Sequence, residues 1–263
     1  MLTTLALLMS LTAGAEIAAT SGGEVDVELV LAVDVSGSMD LEEAQVQRAG
    51  YVDALRHPDF INAVRDGLNG RIAISYFEWA GTIRDNSHIP WQVISGPEEA
   101  EAFAALLEAR PIATRRGTSI SGAIAYGAKL FDSNPYSGMR RVIDVSGDGP
   151  NNFGAPVTPA RDAATALGII INGLAIMIRP SVAFDSLDDY YSNCVIGGPG
   201  AFVLPVQEAE DFAIAIRRKL ILEVSGVTPP ARVIPAQGQA QDCMIGEKLR
   251  PSYMDRIYPE LDR

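Results

Sequence analysis

Three short segments of this chain carry side-chain oxygens of the kinds that hold a hard divalent cation. In the first, Asp34-Val-Ser36-Gly-Ser38, an aspartate and two serines alternate with small or apolar residues. Alternate side chains of an extended turn point to the same side, so these three oxygens can converge. Carboxylates and hydroxyls suit cations such as Mg²⁺ and exclude softer metals. The segment therefore predicts one part of a metal site.

The second and third segments supply one further oxygen each. Thr118 follows Arg116 and Gly117 in a turn that precedes a predicted helix, and Asp148 follows an apolar strand. Singly, each pattern is typical of helix caps and turns. Together, and in this chain order, they favour a metal site formed by Asp34, Ser36, Ser38, Thr118 and Asp148.

The elements that must position these side chains are strands that alternate with helices. Val27 to Val33 is a nearly continuous apolar run, which is typical of a parallel strand covered on both faces. The pattern predicts an α/β fold with a doubly wound, mostly parallel sheet, one antiparallel edge strand within residues 82–94, and helices on both faces. Ligands of such sheets bind beyond the carboxyl ends of the strands, and Asp34 and Asp148 both fall at such ends.

Local patterns predict where some helices begin. Ser95 opens a predicted capping box, and Thr158 is predicted to cap another helix. Leu41 lies on the predicted inward face of the first helix. Residues 179–200 are predicted to be irregular.

The length of 263 residues suits one α/β unit with extensions. We expect the domain to span residues 24–222, with residues 223–263 as a C-terminal tail packed on it. Residues 1–15 are apolar, lack charge and end in Ala-Gly-Ala, which predicts a signal peptide despite the missing basic start. A buried N-terminal helix is the alternative. We expect no transmembrane segment in the mature chain.

The charge balance excludes several classes of partner. The chain has 33 acidic and 21 basic residues, a formal charge of −12, which argues against binding to nucleic acid or to an anionic membrane surface. The two cysteines, Cys194 and Cys243, fit an exported protein with one disulfide, and two buried thiols are the alternative. A periplasmic or secreted location is therefore expected.

Taken together, the three segments resemble the metal-ion-dependent adhesion site (MIDAS) of von Willebrand factor type A (vWA) domains. That site combines D-x-S-x-S, a lone threonine and a strand-terminal T-D-G. The resemblance covers roughly residues 24 to 222. More narrowly, the motifs D-V-S-G-S-M and V-S-G-D-G-P-N-N are similar to those of a family of uncharacterised exported bacterial vWA proteins (DUF1194-like). Gly147 stands where most of the superfamily has threonine, so one hydroxyl is absent.

The resemblance implies a function as well as a fold. It implies Mg²⁺, with Mn²⁺ or Ca²⁺ as alternatives, at an open site completed by a carboxylate of a partner protein. The chain would then be an exported adhesion or adaptor module and not an enzyme. Three residues would support the metal loop: Asp144, Gly149 and Asn151. Alternatively, Asp144 forms a structural salt bridge with an arginine. The alternative role of Asn151 is to hydrogen-bond its own loop.

A Mg²⁺-dependent phosphohydrolase that uses strand-end aspartates is the rival hypothesis. Against it, the residue two positions after Asp34 is Ser36, where haloacid-dehalogenase-type enzymes carry a second aspartate as acid and base. The sequence has two histidines, which makes a Ser-His-Asp triad improbable.

Overall fold

The computed structural model describes residues 22–37, 41–178, 186–227 and 241–250. The expected signal peptide, Ser38 and most of the expected tail lie outside the described residues.

Within the described residues, six strands form one sheet in the order β3-β2-β1-β4-β5-β6. Of the five strand pairs described, the β2–β3 pair is antiparallel and the other four are parallel. This arrangement confirms the predicted fold class. The strands are β1 (Glu24–Asp34), β2 (Ile72–Trp79), β3 (Ile89–Ile94), β4 (Ser137–Gly147), β5 (Ile169–Ile176) and β6 (Val203–Val206).

Helices cover both faces of the sheet. The helices are α1 (Leu41–Arg56), α2 (Pro58–Arg65), α3 (Pro97–Glu108), α4 (Ile120–Leu130), α5 (Val157–Ala166), α6 (Leu187–Tyr190) and α7 (Phe212–Ser225). A π-helical turn, Tyr191–Val195, continues α6. The apolar side chains of α1, α2, α3 and α7 share one core cluster, and those of α4, α5, α6 and the π-turn share the other.

Strand β1 lies at the centre of the sheet and contributes to both clusters. Leu29 and Leu31 point into the first cluster, whereas Val30 and Ala32 point into the second. This period of two is what a strand with two covered faces requires. Burying a valine or leucine side chain contributes about 1.5–3 kcal/mol, so β1 anchors both halves of the core.

The strand order reverses between β1 and β4. From β1 the chain crosses to β2 on one side, and it later returns to β4 on the other. Asp34 is the last residue of β1, and Asp148 directly follows β4. Because β1 and β4 are parallel, both aspartates lie at the same edge of the sheet, at its topological switch point.

Two predicted helix caps are wrong. The N-cap of α3 is Gly96, with no side-chain cap, because Pro97 takes the first helical position and leaves Ser95 one residue too early. Helix α5 begins at Val157, so Thr158 lies inside its first turn and does not cap it.

Other local predictions also need correction. Described residues of the segment 179–200, expected to be irregular, include α6 and the π-turn. Leu41, expected to face inward, is 54% exposed. Helix α7 runs past residue 222, the expected end of the domain, to Ser225, where Gly226 in the left-handed conformation stops it.

A disulfide joins the C-terminal segment to the domain. Cys194 and Cys243 are bonded, with Cα atoms 5.5 Å apart and a sequence separation of 49. The described residues 241–250, of which 245–250 are helical, are thereby tied to the π-turn. Within the described ranges, no helix has the length and apolar character needed to cross a membrane.

Candidate metal centre

Backbone hydrogen bonds join the three segments that carry the predicted ligands. Val35 N donates to Trp79 O at 2.8 Å, and Val35 O accepts from Arg115 N at 2.9 Å. Gly81 N donates to Arg116 O at 3.0 Å. The loop after β1 is therefore held between the end of β2 and the loop that leads to Thr118.

Glycine is required where these loops cross. Gly117 has φ +80°, and a Cβ there would lie 3.1 Å from the Cα of Gly81. A larger residue would be strained by this φ and crowded against the opposite backbone. The glycine before Thr118 thus allows the two loops to pack backbone to backbone.

The loop after Asp148 is fastened to the start of α4. Asn152 N donates to Thr118 O at 2.9 Å, and Thr118 N donates to Asn152 Oδ1 at 2.9 Å. Asn151 Oδ1 accepts from Ser121 N at 3.0 Å. Asn151 therefore hydrogen-bonds its neighbouring loop, the alternative role considered for it from the sequence.

Ser36 lies between the two aspartates. Its hydroxyl is within hydrogen-bonding distance of Asp34 Oδ2 at 3.1 Å and of Asp148 Oδ1 at 3.4 Å. Its backbone N–H donates to Asp34 Oδ1 at 2.7 Å. Asp34 and Ser36 are buried, whereas Asp148 is partly exposed. The site therefore has a buried floor and an accessible side.

Two carboxylates this close raise the energy of the charged form. Burial raises the pKa of Asp34 well above its ordinary value, and the neighbouring Asp148 carboxylate raises it further. Hydrogen bonds from Ser36 and from the backbone of Asp148 lower the pKa of Asp34, but they do not compensate. A cation beside both carboxylates would relieve this repulsion.

The donor chemistry fits a hard divalent cation. Within the described ranges, no three His, Cys, Asp or Glu side chains group into a metal site, so a cation here would need hydroxyl ligands as well. Two carboxylates with serine and threonine hydroxyls are an all-oxygen set of the kind that Mg²⁺ accepts. Helix α4 also begins here, with Ser119 capping Gly122 N at 3.2 Å, and its N-terminus adds positive potential.

The structure brings together most of the predicted site residues. Asp34, Ser36 and Asp148 are in mutual contact, and Thr118 is buried where its backbone meets the loop after Asp148. A Cβ at Gly149 would meet no described atom within 4 Å, so open space adjoins the site. Ser38 lies outside the described residues.

Asp144 does not contact this group. It forms a buried ion pair with Lys219 of α7, so its partner there is a lysine where the sequence had suggested an arginine. The expected salt bridge is therefore present with a different cation, while the expected support of the metal loop is not seen.

Tyr191 is a neighbour of the site that the sequence did not indicate. A Cβ placed on Gly147 would lie 2.6 Å from the Tyr191 hydroxyl oxygen and 3.0 Å from Asp34 Oδ2. Glycine at position 147, where the T-D-G pattern has a threonine, thus leaves space for a phenol beside Asp34. The Tyr191 hydroxyl is buried with no hydrogen-bond partner among the described residues. Burial raises the pKa of Tyr191, and the Asp34 and Asp148 carboxylates raise it further.

Glu247 is the second neighbour that sequence reasoning missed. Asn151 Nδ2 donates to Glu247 Oε1 at 2.8 Å, and the backbone N–H of Asn151 donates to the Tyr190 hydroxyl at 3.1 Å. The C-terminal segment and α6 therefore both hold the loop that follows Asp148. Only the spacing of the two cysteines could have hinted at this contact.

Comparison with known proteins first gives a family. The family model described as "Protein of unknown function (DUF1194)" matches residues 24–228 of the chain. No curated protein matches the sequence.

Solved structures with a similar fold include vWA domains. The pilus adhesin SpaC from Lactobacillus rhamnosus GG has a TM-score of 0.57 at 13% identity, over 76% of this chain and 30% of its own. A von Willebrand factor type A protein from Catenulispora acidiphila has a TM-score of 0.54 at 14% identity, over 76% of this chain and 43% of its own. The structure of proximal thread matrix protein 1 from the mussel byssus, with a zinc-occupied MIDAS motif, has a TM-score of 0.53 at 13% identity. It covers 78% of this chain and 49% of its own. The chain spans less than half the length of each, and at these identities the likeness shows the fold alone.

Proposed function

This chain belongs to the DUF1194 family, and we propose that it is an exported, metal-dependent protein-binding module of the vWA type. Its metal ligands would be the oxygen side chains of Asp34, Ser36, Ser38, Thr118 and Asp148. Its ligand would be an acidic side chain of a partner protein. Mg²⁺ is the proposed cation, with Mn²⁺ and Ca²⁺ as alternatives.

One observation carries the proposal: the Ser36 hydroxyl lies within hydrogen-bonding distance of both Asp34 and Asp148. These residues are 114 positions apart, yet the switch point of the sheet brings their carboxylates to one hydroxyl. Two carboxylates placed together at a partly open edge are costly unless a cation joins them. The arrangement therefore supports a metal site more than a structural turn.

The protein groups define what the site can bind. Only two of the five proposed ligands are charged, so they would balance the charge of a bound divalent cation without exceeding it, and the cation would remain electrophilic towards a further carboxylate. Asp34 and Asp148 would supply the charged ligands, and the Ser36 hydrogen bonds would orient them. The open space beside Gly149 would leave the approach for a partner. In a protein of charge −12, the cation would offset the Asp34 and Asp148 carboxylates, which would otherwise repel an acidic partner.

The proposed location is the periplasm or the extracellular medium. The Cys194–Cys243 disulfide supports it, because such bonds persist mainly in oxidising compartments. We propose a binding role instead of a catalytic one, since Ser36 stands where a phosphohydrolase of the rival type would have a second aspartate. A panel of phosphoesters tested with Mg²⁺ and with an Asp148→Ala control would detect such an activity.

The test is a titration of the purified protein with Mg²⁺ by isothermal titration calorimetry. We expect one site in the wild type, loss of binding in Asp34→Ala, and strongly weakened binding in Thr118→Ala. Thr114→Ala is the matched control, because Thr114 is an exposed threonine of the same loop and should leave binding unchanged. Circular dichroism would establish that the variants are folded. Unaltered Mg²⁺ binding in folded Asp34→Ala would contradict the proposal.

A further inference from the structure

Exposed arginines lie in the loop that borders the candidate metal centre. Arg115 and Arg116 directly precede Gly117 and Thr118, and both are exposed. The backbone of Arg115 lies against the loop after β1: it bridges to Ser36, and its carbonyl oxygen is 3.4 Å from the position of a Cβ on Gly37. The protein is strongly acidic overall, so two adjacent exposed arginines are a local concentration of basic residues.

An exposed aromatic ring lies on the same side. Phe153 is 39% exposed, and its backbone N–H donates to Thr118 O at 3.1 Å. A Cβ on Gly117 would lie 3.5 Å from its side chain. Phe153 therefore borders the loop that carries both Thr118 and the arginines.

A third arginine reaches this border from the C-terminal segment. The guanidinium carbon of Arg250 is 5.0 Å from the centre of the Phe153 ring, a cation–π distance. Arg250 is exposed. It comes from the segment 241–250, which is anchored by the disulfide at Cys243 and by the hydrogen bond from Asn151 to Glu247. Positions distant in sequence thus build one surface, which we call the arginine rim: Arg115, Arg116, Phe153 and Arg250.

Acidic residues also lie on the elements that adjoin the rim. Glu42 and Glu43 lie in the first turn of α1, which follows the metal loop. Glu247 is the third acidic neighbour, and it already accepts the Asn151 hydrogen bond. The rim contains three arginines, and a cation at the metal centre would offset the neighbouring Asp34 and Asp148 carboxylates.

We propose that the partner of this module presents an acidic segment, in which one carboxylate reaches the metal and neighbouring carboxylates contact the arginine rim. This inference rests on the proposed function and names the class of ligand for the same site. Phe153 would pack against the aliphatic parts of that segment. Since exposed ion pairs contribute about 0.2–1 kcal/mol each, we expect each arginine to strengthen binding by about 1.4- to five-fold.

Two synthetic peptides test this inference on the full-length, oxidised protein. One carries a run of glutamates, and the other has the same length with all but one glutamate replaced by glutamine. Fluorescence anisotropy in excess Mg²⁺ would measure both affinities. We expect the glutamate-rich peptide to bind more tightly, and added salt to reduce that preference, because exposed charges are screened.

Replacing a rim arginine with glutamate tests whether the rim causes the preference for the glutamate-rich peptide. We expect Arg250→Glu and Arg115→Glu each to weaken the glutamate-rich peptide more than the single-glutamate peptide. Lys129→Glu is the matched control: Lys129 is exposed in the last turn of α4, whose other end lies at the site, about 15 Å away along the helix. It should change neither affinity.

The outcomes separate this inference from the proposed function. Equal affinity of the two peptides, or equal effects of Lys129→Glu and Arg250→Glu, would overturn the acidic-segment inference and leave the metal-dependent site intact. Peptide binding that persists in EDTA and in Asp34→Ala would overturn the proposed function itself. Because the arginines are exposed, their variants should fold, and thermal melting would verify this.

Discussion

Lys219 of α7 forms an ion pair with Asp144 of β4, and each side chain is only 1% exposed. The same ammonium donates to Glu223 Oε1 at 2.6 Å, and Asn172 of β5 donates to that oxygen at 3.3 Å. One buried cation therefore serves two buried carboxylates and ties α7 to the middle of the sheet. Burial and the Asp144 charge raise the pKa of Glu223 to about 8, and burial raises that of Asp144.

Removing the ammonium should destabilise the fold strongly. Lys219→Met would leave the carboxylates of Asp144 and Glu223 buried without a cation. Breaking a buried ion pair from one side costs about 3–5 kcal/mol, and we expect a loss of that size in the free energy of unfolding measured by urea denaturation. Lys129→Met, at an exposed position of α4, should change it little. Similar losses in the two variants would refute the structural role of Lys219.

The Glu223 pKa also predicts how stability depends on pH. Its pKa rises from an ordinary 4.5 to about 8 on folding, so the folded state binds the proton more tightly. The contribution of Glu223 to the free energy of unfolding should therefore be largest below pH 4.5. It should fall as the pH rises towards 8, with a limiting slope of about 1.4 kcal/mol per pH unit. Asp144, also raised, acts in the same direction.

Glu223→Gln provides the measurement for this pH effect. Glutamine keeps the shape and the contact with Lys219 but cannot titrate. Between pH 5 and pH 8, we expect the free energy of unfolding to fall less in Glu223→Gln than in the wild type. This pH range lies between the ordinary pKa of Glu223, 4.5, and its raised pKa of about 8. The urea series should be run in EDTA, so that metal binding does not contribute. An unchanged slope in the variant would show that Glu223 is not the titrating group.

The sequence was sufficient for the main architecture. Alternation of apolar strands with helices predicted a mostly parallel sheet, because a nearly continuous apolar run such as Val27 to Val33 is typical of a strand covered on both faces. Leu29 and Val30 are indeed buried in the two opposite core clusters. Placing Asp34 and Asp148 at strand ends was enough to bring them to one edge, since the carboxyl ends of parallel strands lie together. Short-range patterns and one topological rule thus predicted the meeting of distant carboxylates.

Contacts from distant segments could not be predicted in this way. The partner of Asp144 was expected to be an arginine, but Lys219 occupies that place because the packing of α7 on β4 decides it, and that packing has no local signal. Tyr191 lies in a segment expected to be irregular, so its approach to Asp34 was missed. Gly147 appeared only as a lost hydroxyl, whereas the structure shows that it leaves space for the phenol.

The position of Tyr191 leads to a prediction about the metal centre. Its hydroxyl is buried beside Asp34 without a partner among the described residues, where it could hydrogen-bond a ligand carboxylate or a water on the cation. We expect Tyr191→Phe to lower Mg²⁺ affinity several-fold, measured by calorimetry, while the melting temperature in EDTA stays unchanged or rises. Tyr136→Phe is the control, because Tyr136 directly precedes β4 and so lies at the opposite end of that strand from Asp148. Equal Mg²⁺ affinity in Tyr191→Phe would exclude a role for the hydroxyl.

The repulsion between Asp34 and Asp148 predicts opposite effects of one substitution with and without metal. Asp34→Asn removes one of two adjacent carboxylates, so we expect a higher melting temperature in EDTA than that of the wild type. The same variant should lose the stabilisation that Mg²⁺ gives the wild type, because a ligand that binds only the folded state raises its stability. Asp53→Asn, an exposed carboxylate of α1, should alter neither melt. A Mg²⁺-induced shift retained in Asp34→Asn would count against Asp34 as a ligand.

The disulfide should stabilise the domain and also shape its binding surface. Cys194→Ala with Cys243→Ala opens a loop with a separation of 49 residues, and we expect a loss of roughly 4 kcal/mol in the free energy of unfolding by urea denaturation. Because residues 241–250 bring Arg250 to the rim, the variant should also lose part of its preference for the glutamate-rich peptide, while Mg²⁺ binding persists. A reducing agent should reproduce both effects in the wild type and have none on the double variant. If the variant loses stability but keeps the full peptide preference, the C-terminal segment holds its place without the disulfide, through contacts such as that between Asn151 and Glu247.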